Sequence, residues 1–183
     1  VKKVYLCDTK GIISSSRQDL PPYKVKLLKY TNPDDKSGTV LDAIKDADVF
    51  IGVSAGNLLT REDISLMAPN AIIFAMANPV PEIMPEEALA GGAAIVGTGR
   101  SDLPNQVNNA LAFPGIFRGA LDAKATRITE GMKLAAAFAL AAAVKDLKPE
   151  TILPSVLDKS VSPLIAAAVK DAAIREGVVR SVN

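Results

Sequence analysis

Histidine and tryptophan are absent from all 183 residues, and cysteine occurs once. The side chain that most often serves as a general base is therefore missing, so acid/base chemistry sited here would fall to Lys, Tyr or a carboxylate. Metal sites built from His, alone or with Cys, are excluded as well. A single cysteine, Cys7, forbids an internal disulfide. Its place in an apolar run predicts a buried free thiol, a usage suited to a reducing cytosol. Aromatic residues make up only 4%, and the 21 Lys and Arg are scattered among 20 Asp and Glu for a net charge of +1. Neither a basic stripe nor a base-stacking platform results, which argues against a nucleic-acid partner. The longest apolar run, from Leu134 to Val144, lies between Lys133 and Lys145 and falls short of the roughly 20 residues that span a bilayer. No signal or transit peptide is visible, so a cytoplasmic protein without a membrane partner is expected. The chain opens on Val1 with no initiator Met, which fits a piece of a longer polypeptide.

What is present is an apolar fraction of 49%, enough for a substantial core. Val4–Asp8, Val49–Ser54, Ala71–Ala77 and Ala93–Gly97 are short apolar runs without alternation, the pattern of strands covered on both faces. Helical punctuation falls between them. Thr60 followed by Asp63 reads as a capping box, and Pro85 with Glu86 and Glu87 as a helix start that stops at Gly91-Gly92. Strands alternating with helices predict a parallel α/β sheet. After Arg100 only helices are expected. The first covers Ala110 to Ala123 with a break at Pro114-Gly115, the second starts near Thr129, and the third runs from Ser162-Pro163 to about Gly177. Leu134, Phe138 and Ala141 or Ala142 share a helical face, which suits internal packing or a subunit contact. Gln18–Tyr23 and Asn32–Gly38 read as surface loops.

Five constellations could carry chemistry. Asp8 ends the first strand of this chain, and in a dinucleotide fold an acid at the end of the second strand binds the adenine ribose; the simpler reading is a turn residue. The glycine-rich turn expected about 20 residues upstream of such an acid is not in this sequence. In Ile51–Asn57 an apolar strand runs into Ser54, Ala55 and Gly56, small residues that either admit the nicotinamide side of a cofactor or form a tight turn. Asn78 ends the next strand ahead of Pro79 and Pro81. Its stiffened amide either contacts a carboxylate, hydroxyl or carboxamide, or closes an Asx-type turn. Arg100, in a Gly-Thr-Gly-Arg loop, reads as a surface ion-pair partner before an anion ligand. Beyond it, Asn105, Gln106, Asn108 and Asn109 crowd four amides into five positions, and buried amides require a polar ligand or a polar wall.

Taken in order, CDTKG, IGVSAG, AMANPVPE, GTGRSDLPNQVNNALAFPGIFRGALDA and MKLAAAFALA resemble the carboxyl-terminal nucleotide-binding part of malic enzymes of the compact prokaryotic type. The similarity spans about Val4 to Glu176; the NQVNN and AFPGIFRGALD words are the specific ones. The resemblance implies a Rossmann-like doubly wound parallel sheet, lacking its first βα unit in this chain, followed by C-terminal helices. Residues 1–183 are then an NAD(P)-binding domain incomplete at its N-terminal side, with 1–100 the α/β part and 101–183 the substrate loop and helices.

The activity implied is oxidation of (S)-malate by NAD or NADP and metal-assisted loss of carbon dioxide to give pyruvate. Carried over by position, the cofactor-binding residues are Asp8, Ser54, Ala55, Gly56, Asn78 and Asn109, and the substrate-binding residues are Asn78, Asn108 and Asn109. The family's catalytic tyrosine and lysine, its acidic Mg2+ or Mn2+ ligands and its glycine turn belong before Val1. Tyr5, Tyr23, Tyr30 and Lys10 do not match the acid/base pair, so this chain carries no catalytic residue or metal ligand and alone should be inactive. Expected partners are the missing N-terminal segment and a second copy in a homodimer. Asp8 opposes a 2′-phosphate and favours NAD, whereas Lys10 and Arg17 could accommodate NADP. The alternative is a non-catalytic Rossmann-like fragment that binds a nucleotide or a partner. An amino-acid dehydrogenase is disfavoured by NQVNN.

Overall fold

The computed structural model describes residues 1–180. The chain begins with a two-residue antiparallel ribbon, β1 (Cys7–Asp8) against β2 (Gly11–Ile12). Gly11 has φ of 102°, and a Cβ on it would lie 2.1 Å from the Gly38 carbonyl oxygen. Only glycine lets the ribbon approach the bend at Gly38, where Ile12 N–H donates to Gly38 O at 2.8 Å. Of the predicted strand Val4–Asp8, only Cys7 and Asp8 pair. Because no helix among the described residues covers this short ribbon on both sides, Cys7 is exposed, not buried as its apolar neighbours suggest. Helix α1 (Pro22–Leu27) and helix α2 (Val40–Ile44) follow, so the predicted loop at Gln18–Tyr23 runs into a helix.

The rest of the α/β part alternates as expected: β3 (Val49–Gly52), α3 (Arg61–Ile64), β4 (Ile72–Ala75), α4 (Pro85–Ala90) and β5 (Ile95–Thr98). β3, β4 and β5 pair in that order, all parallel, with Gly52 opposite Ala75 and Ala75 opposite Thr98. The Thr60–Asp63 capping box forms in full: Asp63 N–H donates to Thr60 Oγ1 at 3.3 Å, and Thr60 N–H to Asp63 Oδ2 at 2.8 Å. Pro85 opens α4 and Gly91 ends it.

Two successive right-handed crossovers that advance in one direction leave their helices on one face of the sheet. On that face Phe50, Ile73, Ala75 and Val96 pack with Ile44, Leu59, Ile64, Met67, Ile83 and Ala88. The opposite face of β3 is open. Val49, Ile51 and Val53 are 45%, 62% and 77% exposed, against the expectation of cover on both sides. Apolar runs thus reported two apolar faces correctly, but only one of them has a covering layer among the described residues.

A second core joins three helices, α5 (Phe113–Asp122), α6 (Glu130–Ala142) and α7 (Val161–Arg175). The predicted break at Pro114-Gly115 is instead a helix start. A 3-10 turn, Asn109–Leu111, leads into α5, and Pro114 sits in its first turn, where its missing N–H costs nothing. Thr129 caps α6 by accepting from Met132 N–H at 3.1 Å. Leu134 and Phe138 remain 59% and 74% exposed, so their face is not an internal packing face; Met132 and Ala136 are buried in their place.

Gly115 and Gly119 form the contact face of α5. A Cβ on Gly119 would stand 2.4 Å from Ala166 O and 2.8 Å from Val169 Cβ.

Two outcomes follow for stability. At 45%, 62% and 77% exposure, Val49, Ile51 and Val53 each forgo part of the about 1.5–3 kcal/mol that full burial supplies, a sum on the order of a few kcal/mol and large beside the marginal stability of a typical domain. The isolated chain is therefore expected to aggregate or to unfold broadly on heating, and a sharp cooperative calorimetric transition would overturn this. Gly119→Ala in the complete protein should lower stability by about 1–3 kcal/mol through overpacking, read as a reduced denaturant midpoint.

Candidate functional site

Because β3, β4 and β5 run parallel and in register, their carboxyl ends lie along one edge of the sheet. Ser54, Ala55 and Gly56 leave β3 there and are exposed; Asn78, also exposed, follows β4. Such an edge is where open α/β sheets bind ligands. The amide segment returns to the same edge. Gln106 bridges Thr98 in parallel, and Val107 N–H donates to Thr98 O at 2.7 Å, which extends the sheet past β5. Asn108 and Asn109 come next and are exposed.

The four amides divide by role. Asn105 is buried with φ of 53°, a conformation asparagine tolerates. Its Nδ2 donates to Val96 O at 3.0 Å and Pro149 O at 2.7 Å, and its Oδ1 accepts from Ile152 N–H at 2.9 Å. It is a polar wall, stitching β5 to the segment between α6 and α7. Asn108 Oδ1 accepts from Ala110 N–H at 2.8 Å and so caps the 3-10 turn, leaving its Nδ2 outward. Arg100 pairs with Asp102, Nε to Oδ1 at 2.9 Å, as the surface reading has it.

The segment after β3 is clamped by the turn after β4. Asn57 N–H donates to Pro81 O at 2.9 Å and Leu59 N–H to Glu82 O at 3.0 Å. The Glu82 side chain, fully buried, reaches between the two strand exits. Its Oε1 accepts from Ser54 N–H at 2.9 Å and its Oε2 from Ala77 N–H at 3.0 Å. Sequence reading passed over Glu82. The available signal was an acid flanked by Pro81 and Ile83 within an otherwise apolar turn.

Asp8 lies apart, on the β1–β2 ribbon. Its carboxylate accepts from Arg17 Nη1 at 2.7 Å and Nη2 at 3.1 Å, from Lys24 Nζ, and from Lys10 N–H at 3.0 Å. Arg17 also holds Asp19 at 2.9 Å, and Lys10 Nζ pairs with Asp19 at 2.9 Å. The Arg17 guanidinium, helped by Lys24, holds the Asp8 carboxyl well below the usual carboxylate range despite partial burial. The turn role of Asp8 is thus realised through the Lys10 N–H. A ribose hydroxyl would have to share a carboxylate whose lone pairs are already engaged. Lys24, on α1, is the partner that sequence spacing did not reveal.

Tyr5 donates to Asp34 Oδ2 at 2.9 Å, while Tyr23 and Tyr30 are exposed on and after α1. Among the described residues no three His, Cys, Asp or Glu side chains gather as a metal site, and no helix is long and apolar enough to cross a membrane. Two surface concavities lie on the helical part, one lined by Arg118, Asp122, Ser162 and Lys170, the other between Ala142 and Ala167; neither includes a strand-end residue.

Comparison with known proteins identifies the family. Residues 1–174 match the family described as malic enzyme, NAD binding domain. The chain belongs to that family. It is 53% identical to the bifunctional malic/malolactic enzyme of Bacillus subtilis over 98% of its own length and 45% of that protein's. It is 48% identical to the NAD-dependent malic enzyme of Geobacillus stearothermophilus, over 100% of its length and 38% of the relative's. The NADP-dependent malic enzyme of Halomonas elongata is 42% identical, over 98% and 46%. Among solved structures, the NAD-dependent malic enzyme of Thermotoga maritima superposes with a TM-score of 0.88 at 46% identity, covering 93% of this chain and 45% of that one. The Entamoeba histolytica malic enzyme gives 0.91 at 39%, covering 98% and 38%. The chain therefore spans less than half the length of these malic enzymes, and the expected Rossmann-like fold class holds. NAD- and NADP-dependent relatives stand at similar identity, so overall likeness does not select between the dinucleotides.

The pH behaviour of the ribbon follows from Asp8. A carboxyl whose folded value is depressed stabilises the fold above about pH 4, the unfolded value, and this contribution disappears as pH falls through the lower folded value. Thermal midpoints measured from pH 7 down to pH 2 should fall below pH about 4 in the wild type, and Asp8→Asn should start lower and show a shallower acid decline.

Proposed function

We propose that this chain is the dinucleotide-binding part of an enzyme that oxidatively decarboxylates (S)-malate to pyruvate and carbon dioxide with NAD or NADP. The observation that carries the reading is the common sheet edge at which Ser54–Gly56, Asn78 and Asn108–Asn109 emerge. The small, exposed Ser54, Ala55 and Gly56 leave backbone accessible to a flat ring, and residues of this size fit the nicotinamide side of a dinucleotide.

The bound dinucleotide supplies the hydride acceptor. What this chain adds is orientation. Asn78 and Asn109 present uncharged amides, able to donate to a carboxylate and accept from a hydroxyl, without opposing the cationic groups an anionic substrate needs. Asn108 contributes its free Nδ2 beside them. Asp8, with Arg17 and Lys24 on it, serves the adenine ribose end. The three cations Lys10, Arg17 and Lys24 outnumber Asp8 and Asp19, which tempers the repulsion of a 2′-phosphate.

The acid/base pair and the ligands of a Mg2+ or Mn2+ ion belong to the remaining part of the enzyme, which completes the site. A cytoplasmic homodimer is the assembly we assign.

In the full-length enzyme, Asn78→Ala and Asn109→Ala should each lower kcat/KM for malate on the order of 10²-fold with the fold intact by circular dichroism. Malate-dependent NAD(P)H formation with Mn2+ is the assay. Unchanged kinetics in both variants would remove these amides from the site, and an absence of turnover in the wild-type full-length protein would overturn the reading itself.

A further inference from the structure

Glu82 is a fully buried carboxylate whose described partners are backbone N–H groups from two different strand exits: Ser54, two residues past β3, and Ala77, two residues past β4. Burying a carboxylate is costly, and accepting two N–H bonds offsets that cost only while both exits hold their spacing. The same residue also clamps the far end of the β3 exit through its main chain, by accepting from Leu59 N–H at 3.0 Å, while Pro81 O accepts from Asn57 N–H at 2.9 Å. Ala55 and Gly56 are therefore the crown of an arch pinned at Ser54 on one side and at Asn57 and Leu59 on the other. Asn78 is bonded directly after Ala77, the second N–H that the Glu82 carboxylate holds.

Gly52 belongs to the same device. A Cβ there would fall 2.3 Å from Glu82 Cδ and 2.5 Å from Oε1, so the carboxylate lies over the bare Cα of the last β3 residue. That packing explains a glycine at the end of an otherwise apolar strand, a position where its backbone freedom is not needed.

Resting on the reading that these exits line the nicotinamide side, we propose that Glu82 is a positioning residue. It fixes the distance between the Ser54–Gly56 arch and Asn78 without itself touching cofactor or substrate. Glu82→Gln keeps the shape but presents an NH2 group to one of the two N–H donors, so one clamp opens. Gly52→Ala keeps the carboxylate chemically but displaces it, because the added atom would fall 2.3 Å from Glu82 Cδ.

The test uses the full-length enzyme. Dissociation constants are measured for NADH, or NADPH if NADP is the better hydride acceptor, and separately for AMP, which occupies only the adenylate half. Both variants should raise the dissociation constant of the reduced dinucleotide about tenfold while leaving that of AMP within twofold. A general loss of structure would weaken both ligands together, and that result, or unchanged binding of both, overturns the proposal. Should E82Q fail to fold, the G52A comparison decides alone. If instead the wild-type protein binds neither dinucleotide, the functional reading has failed, an outcome separate from a variant that matches a binding-competent wild type.

Discussion

The in-register parallel pairing of β3, β4 and β5 is the constraint on which the site depends. Parallel strands joined by crossover helices must all end at the same edge, and that edge collects the residues that follow each strand without any of them needing to be near in sequence. The fourth contributor, the amide segment, reaches the edge by a different route. It pairs alongside Thr98 and is fastened from below by the buried Asn105 amide, which bonds to the α6–α7 connection. Loss of register by one residue would send Gly52 from the packed side to the open side and remove the space that Glu82 occupies.

Two acids show two ways of holding negative charge in this fold. Asp8 sits on a small ribbon with little core beneath it, and it recruits Arg17, Lys24 and the Lys10 N–H. The cluster supplies local order to a segment that has almost no sheet ladder of its own. Glu82 lies inside the main core, where a guanidinium would carry its own desolvation cost, and backbone N–H groups serve instead. The first arrangement is partly open to solvent, with its carboxylate engaged by its own cations. The second is closed, so its effect on chemistry is confined to geometry.

The parts of the fold that are written locally are the parts legible in the sequence. Apolar runs marked β3, β4 and β5, and side-chain caps at Thr60 and Thr129 and the proline at Pro85 marked helix starts, because each is decided by residues within a few positions. Pro114 misled for a related reason: the residue that ends one helix also opens another, and only the preceding 3-10 turn shows which it does. Cys7 and the open face of β3 misled because apolar character states what a residue prefers to contact, not whether a contact is supplied. Lys24 was invisible because its partner Asp8 lies 16 residues away, and the Glu82 bond to Ser54 spans 28, so the apolar flanks of that acid hinted at burial but not at the partner.

Within the amide segment the structure narrows which side chain is free to orient a ligand. Asn105 uses both ends of its amide on the backbone, so it has nothing to offer outward. Asn108 has given its oxygen to Ala110 N–H, which fixes its rotamer and leaves a donor only. Asn109 and Asn78 are exposed and make no side-chain hydrogen bond among the described residues, so each retains both donor and acceptor. A hydroxy-acid presents acceptors on its carboxylates and a donor on its hydroxyl. On the proposed function, matching that pattern with neutral groups calls for amides of the second kind, held on hydrogen-bonded backbone. Asn78 has that backing through the Ala77 N–H on Glu82, and Asn109 has it through the capped turn that Asn108 begins. Free amides on fixed backbone are how uncharged side chains contribute to orientation without large desolvation penalties, and this edge of the sheet assembles two of them.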